Sequence, residues 1–235
     1  MHIQREAIPN LPTGALIACL SCSLFGTICG MKAFHTITVL LATVFCSPII
    51  AYGENNILVF GDSLSAGHGI AVAESWPHLL QLELQRNHPG FNVVNASISG
   101  ETSLGGRQRI VKALKEHRPA FLILELGSND GLRGYPNTET EANLGEIIKE
   151  AKLAHTSILL IGMRLPPNYG ATYTKQFQDI FTSLSKKYRV RLMEFLLEGV
   201  KPEQFQPDNL HPTAGAQPLI MNSVLKELEP LLKND

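Results

Sequence analysis

The chain has 235 residues, 44% of them hydrophobic and 17% charged, and its 20 Lys and Arg against 21 Asp and Glu leave a net charge of −1. That balance excludes a disordered polyelectrolyte, in which low hydrophobicity and high net charge prevent a core from forming. No run of Lys or Arg provides the basic patch that nucleic acid requires.

Residues 14–51 are almost free of charge and hold two apolar stretches, 14–30 and 36–51, on either side of Met31 and Lys32. From Met31 the text reads as a secretory leader: Lys32 is the positive start, residues 37–45 the apolar run, and Ala51-Tyr52-Gly53 a small-x-small cleavage site. Residues 1–53 are thus expected to be an extension and signal, with the signal proper at 31–53, and Glu54 is expected to begin a periplasmic or secreted domain of residues 54–235. A membrane anchor is the alternative, but each stretch is at or below the ~20 residues that span a bilayer, and Pro48 interrupts the second. Met1 and Met31 both stand as starts. All four cysteines, Cys19, Cys22, Cys29 and Cys46, precede residue 54, so the domain can form neither an internal disulfide nor a thiolate metal site.

Beyond residue 55 short apolar runs alternate with longer amphipathic ones. Strands are predicted at 57–60, 92–95, 121–126, 158–163 and 190–195. Helices are predicted at 74–87, 103–116, 139–154, 171–187 and 214–232. In the first helix Trp76, Leu79, Leu80, Leu82 and Leu84 fall mostly on one side. The strands are apolar throughout rather than alternating, as in a parallel sheet covered on both faces. Strand–helix alternation with right-handed crossovers then gives an α/β fold, doubly wound, with a five-stranded parallel sheet between two helical layers.

In such a sheet, ligands bind at the carboxyl ends of the strands. Those ends carry Gly61-Asp62-Ser63-Leu64-Ser65, then Ala96-Ser97-Ile98-Ser99-Gly100-Glu101, Gly127-Ser128-Asn129-Asp130-Gly131, Arg164-Leu165-Pro166-Pro167, and, past the fifth strand, Asp208-Asn209-Leu210-His211-Pro212. Small, polar and titratable residues gather on one edge. A serine hydroxyl needs a base within hydrogen-bond reach to act as a nucleophile. Of the six histidines after residue 54, His78, His88, His117 and His155 fall in or beside helical patterns. His211 is therefore the candidate base for Ser63, with His68 on the rim. Asp208, three residues before His211, can accept the imidazole N–H from one tight turn and fix its tautomer. Position 65 is Ser rather than Gly, so Ser63 does not sit in a Gly-x-Ser-x-Gly elbow. Gly-x-Gly-x-x-Gly does not follow the first strand, and no His/Asp/Glu group has metal-ligand spacing; no cofactor and no metal are expected.

These segments resemble the sequence blocks of the SGNH, or GDSL-type, hydrolases. Gly-Asp-Ser-Leu at 61–64, Gly100, Gly-x-Asn-Asp at 127–130 and Asp-x-x-His at 208–211 carry the likeness, in order, from about residue 55 to the C-terminus. The resemblance implies a flavodoxin-like three-layer fold and a Ser63, Asp208, His211 catalytic set. It also implies an oxyanion site made by the backbone N–H groups of Ser63 and Gly100 and the Asn129 amide. Asp62 and Asp130 are expected to brace their loops. Leu165, Pro166 and Pro167, with the 131–136 loop, are expected to border an acyl groove. The stretches at 93–100, 129–134 and 164–170 resemble the thioesterase, arylesterase and lysophospholipase members of the family. The expected activity is hydrolysis of small acyl esters and thioesters, lysophospholipids among them, by a monomer. A carbohydrate O-acetyl esterase and a non-catalytic lipid- or glycan-binding module are the alternatives.

Overall fold

The computed structural model describes residues 55–233; the expected leader lies outside them. Strand β1 (Asn55–Gly61) is buried from Ile57 onward, and β3 (Phe121–Glu125) along its whole length. Two buried faces leave no position for alternating polar residues, which is why these runs are continuously apolar. With β2 (Phe91–Asn95), β4 (Ser157–Ile161) and β5 (Arg191–Met193) they form one parallel sheet in the order β2-β1-β3-β4-β5. This is the flavodoxin-like order expected, and β1 and β3 occupy the point where the winding reverses.

Helices cover both faces. The long ones are α2 (Trp76–Asn87), α3 (Ser103–His117), α5 (Asn137–Leu153), α6 (Ala171–Tyr188) and α7 (Gln217–Leu232), and two short ones are α1 (Ser63–Ala66) and α4 (Ser128–Leu132). Helices α2 and α7 pack together, while α5 packs against both α3 and α6. Right-handed crossovers place these two groups on opposite faces. Phe60, Trp76, Phe121, Phe177 and Phe181 are among the largest fully buried side chains; burying one large apolar side chain contributes about 1.5–3 kcal/mol.

The element boundaries differ from the sequence reading in ways that have local causes. Ser75 has extended backbone and Pro77 sits in the first turn of α2, so residues 72–74 form a separate 3₁₀ turn rather than the start of that helix. Ala214–Ala216 is likewise a 3₁₀ turn before α7, which has a proline in its own first turn. Strand β4 ends at Ile161 rather than 163, and the chain beyond it stays close against the β5 backbone. The Gly162 N–H donates to Met193 O, and a Cβ at 162 would lie 2.4 Å from Glu194 O. The stretches after β1 and β3, expected as loops, are the helices α1 and α4.

Candidate active site

The nucleophile segment is organised by a cap. Asp62 follows the last strand residue as the helix N-cap, its Oδ1 accepting from Leu64 N–H (3.1 Å), so Ser63 becomes the first residue of α1. A first-turn N–H has no acceptor within its own helix, and among the described residues the Ser63 N–H has none elsewhere. Gly67, at φ 75°, closes the helix after one turn.

The opposing segment is a narrow hairpin. Phe205 pairs antiparallel with Pro212, Gln206 N–H donates to His211 O (2.8 Å), and Asn209 turns the chain at φ 56°. Inside the turn Asp208 Oδ1 accepts from the N–H groups of Leu210 (2.9 Å) and His211 (3.0 Å), and Oδ2 lies 2.7 Å from His211 Nδ1. The His211 backbone N–H, then its ring, then the Leu210 N–H hold the Asp208 carboxyl well below the usual carboxylate range. An ionised Asp208 fixes the proton on Nδ1 and leaves the lone pair on Nε2. That Nε2 is 2.9 Å from Ser63 Oγ. The relay therefore runs unbroken from carboxylate to hydroxyl.

Asn129 sits in α4, whose position depends on Asp130. The Asp130 carboxylate accepts from Ser103 N–H (2.8 Å) and Ser103 Oγ–H (2.5 Å), tying α4 to the start of α3. The Asn129 amide donates to Asp62 Oδ2 and to Glu101 O, both at 3.0 Å. Gly100 lies at φ 79°, a left-handed conformation that glycine adopts without strain. Its N–H has no acceptor among the described residues. Two N–H groups, those of residues 63 and 100, are thus unengaged next to an amide that is already hydrogen-bonded.

One residue of the site is absent from the sequence reading. Glu125, last in β3 and paired with Gly61, is completely buried. Its Oε2 accepts from Asp62 N–H (3.2 Å) and from Ser65 Oγ–H (2.7 Å), gripping the chain on both sides of Ser63. Burial first, and then the Asp62 charge, push the Glu125 carboxyl well above the ordinary glutamate value. Burial also raises Asp62, to about 6, against the lowering effects of the Leu64 N–H, His211, Asn129 and Glu125. Among the described residues Glu125 Oε1 is buried without a hydrogen-bond partner, and an unpartnered buried carboxylate oxygen favours the neutral acid. The signal was present in the sequence as a lone Glu inside Phe-Leu-Ile-Leu-Glu-Leu, since a charged residue in a fully buried strand needs a dedicated partner.

A cavity of about 520 Å³ opens over these groups. Ser63, Gly100, Asn129, His211 and His68 line its polar end, while Leu165 and Pro166 line the apolar part together with Leu132, Met163, Phe195 and Leu197. Asp208 stands behind His211. Pro167 does not line the cavity: it is exposed and begins a 3₁₀ turn, Pro167–Tyr169, which carries it away from the wall. Of the 131–136 loop, Leu132 reaches the cavity. Met163, Phe195 and Leu197 were hidden from the sequence reading because they follow the ends of β4 and β5, where nothing local distinguishes a cavity wall from the core.

An α/β sheet with a serine, a histidine and an aspartate in hydrogen-bond sequence at its carboxyl edge defines the serine-hydrolase class. A family model described as GDSL-like lipase/acylhydrolase matches residues 59–217, and the chain belongs to that family of hydrolases. It is 42% identical over 187 residues to the Escherichia coli (strain K12) protein named thioesterase 1/protease 1/lysophospholipase L1, covering 79% of this chain and 88% of that one. It is 40% identical over 190 residues to an arylesterase of Vibrio mimicus, covering 80% and 95%. Among solved structures, the psychrotrophic esterase EstA of Pseudoalteromonas sp., in a form inhibited by monoethylphosphonate, superposes with a TM-score of 0.74 at 37% identity, covering 77% of this chain and all of that one.

Proposed function

We propose that this hydrolase cleaves acyl esters and thioesters through an acyl-serine intermediate, with Ser63 as nucleophile, His211 as base and acid, and Asp208 as the group that orients and charges His211. The observation that carries this is the continuous Asp208–His211–Ser63 relay, 2.7 Å and 2.9 Å, at the polar end of an apolar cavity. Ser63 Oγ attacks the acyl carbonyl while its proton passes to His211 Nε2. The imidazolium, stabilised by Asp208, returns that proton to the departing alcohol or thiol. Water then attacks the acyl-serine by the same exchange and restores the serine. The Ser63 and Gly100 N–H groups and the Asn129 amide receive the oxyanion. The first two are unengaged, and the third turns one N–H from Asp62 or Glu101 O as charge develops on the substrate.

The apolar half of the cavity, with Leu165 and Pro166 in its wall, receives the acyl chain. The substrates are small acyl esters and thioesters, lysophospholipids included. Every group of the site comes from one chain, which fits a monomer. Among the described residues no helix is long and apolar enough to cross a membrane, and residues 1–53 are proposed to direct export and be removed.

The test is a comparison of kcat/KM for a long-chain acyl thioester, an aryl ester and an acetylated sugar, with Ser63→Ala as control. The thioester and aryl ester should be turned over, and Ser63→Ala should reduce both to background. Strong preference for the acetylated sugar, or activity surviving in Ser63→Ala, contradicts the proposal.

A further inference from the structure

His68 was read from the sequence as a rim residue and takes no part in the proposed mechanism. In the structure its ring centroid lies 4.4 Å from that of His211, tilted by 41°. One ligand atom each from His68, Asp208 and His211 lie within 4.8 Å of one another. The two histidines come from segments that are tied together: the Gln206 side-chain amide donates to His68 O (2.7 Å) and to Pro212 O (3.0 Å). The backbones carrying the three side chains are therefore held in register; His68 and Asp208 are exposed, and Asp208 is already fixed in its turn by three hydrogen bonds.

From this juxtaposition we infer that His68, Asp208 and His211 form an inhibitory site for a divalent cation of the Zn²⁺ class. Two imidazoles and one carboxylate are the donor set of many zinc sites, with water completing a tetrahedron. Zinc–ligand bonds of about 2.0–2.1 Å put neighbouring ligand atoms roughly 3.3 Å apart, so the cluster must contract, chiefly by movement of the exposed His68 side chain toward the Asp208–His211 pair. No local spacing announces the cluster, because His68 and His211 lie in segments far apart in the chain.

Inhibition follows from whichever imidazole nitrogen of His211 binds. If Nε2 donates its lone pair to the metal, that lone pair cannot accept the Ser63 proton. If Nδ1 binds, the proton of the neutral ring moves to Nε2, which becomes a donor and again cannot act as base. Where Nδ1 binds, Asp208 exchanges its bond to the ring for one to the metal; where Nε2 binds, the Nδ1–H keeps its acceptor and the carboxylate's remaining lone pairs face the metal. No bond in the substrate is involved and the step is a reversible ligand exchange. His68 thus makes the relay sensitive to metal concentration, resting on the proposed role of His211 for its effect on rate but not for the binding itself.

The experiment uses the full chain with its cysteines alkylated, so that thiolates at residues 19, 22, 29 and 46 cannot compete. Co²⁺ is titrated into Ser63→Ala and into Ser63→Ala/His68→Gln, following the visible absorption of four-coordinate Co²⁺. Zn²⁺ inhibition of aryl-ester hydrolysis is measured in the wild-type chain and in His68→Gln, each relative to its own metal-free rate. The expected result is one equivalent of Co²⁺ bound to Ser63→Ala, at least tenfold weaker binding when His68 is replaced, and at least a tenfold rise in the Zn²⁺ concentration for half-inhibition. Absence of the four-coordinate spectrum overturns the inference, as does binding or inhibition unchanged by His68→Gln. The Co²⁺ arm does not depend on turnover, so a failure of the hydrolase reading is distinguishable from a failure of the metal site.

Discussion

Asp208 makes three hydrogen bonds within a single turn, two of them to His211. The backbone pair shapes the turn and the ring contact sets the tautomer, so structure and chemistry use different oxygens of one carboxylate. Asp208→Asn keeps an acceptor for the backbone and removes the charge that stabilises the imidazolium. Turnover should fall by up to about 10⁴-fold, far more than any accompanying fall in Tm accounts for; steady-state kinetics beside a melting curve checks this, and a large fall in Tm with unchanged kcat contradicts it. Asn129 makes a different commitment, since both of its observed bonds are to protein acceptors. Its gain on moving to an oxyanion is realised in the transition state, so Asn129→Ala should lower kcat by about 10²–10³-fold and leave KM nearly unchanged. An effect confined to KM would remove it from the oxyanion site.

At the scale of elements, the register of β1 against β3 sets the nucleophile. Pairing Gly61 with Glu125 places a buried carboxyl against the first turn of α1, and a Cβ on Gly61 would come within 2.6 Å of Glu125 Oε2. The sign of its pH dependence is opposite to that of Asp208. A carboxyl whose folded value is raised keeps its stabilising proton fully below the ordinary carboxylate range. That stability is lost as pH rises from there through the raised values, about 6 for Asp62 and well above the ordinary glutamate value for Glu125. Asp208, held low, contributes stability above the ordinary range and loses it as pH falls. Glu125→Gln keeps an acceptor for the Asp62 N–H and the Ser65 hydroxyl without a titrating proton. The wild-type chain should therefore lose stability relative to Glu125→Gln as pH rises above the ordinary glutamate value, read as a widening Tm difference; a constant difference contradicts the buried-acid account. The same region shows what local sequence can and cannot convey. The apolar centres of the strands and long helices were legible because burial on one or two faces is written in their periodicity. Helices α1 and α4 were not, since Asp62-Ser63 and Ser128-Asn129-Asp130-Gly131 carry turn propensities and become helical only through Asp62 capping and the Asp130 tether. Glu125 went unread because its partners, the Asp62 N–H and the Ser65 hydroxyl, lie 63 and 60 residues away in the cap and first turn of α1.

For the whole molecule, the decisive feature is the reversal of winding between β1 and β3. It brings together the segments after β1, β2 and β3, and α7 returns to the face of α2 so that the Asp208 hairpin closes over them. Ser63 and His211 are far apart in sequence and meet through this topology alone, which is why the set of site residues was legible as ordered motifs while the cavity walls contributed by Met163, Phe195 and Leu197 were not. Activation of Ser63 is read out by reaction of the intact chain with a fluorophosphonate, followed by mass spectrometry. Attack by the activated hydroxyl forms a serine O–P bond and expels fluoride. A single adduct on the peptide containing Ser63 is expected, absent in Ser63→Ala and formed orders of magnitude more slowly in His211→Ala. No adduct on the native chain, or labelling whose rate is the same in either variant, would contradict the claim that His211 activates Ser63.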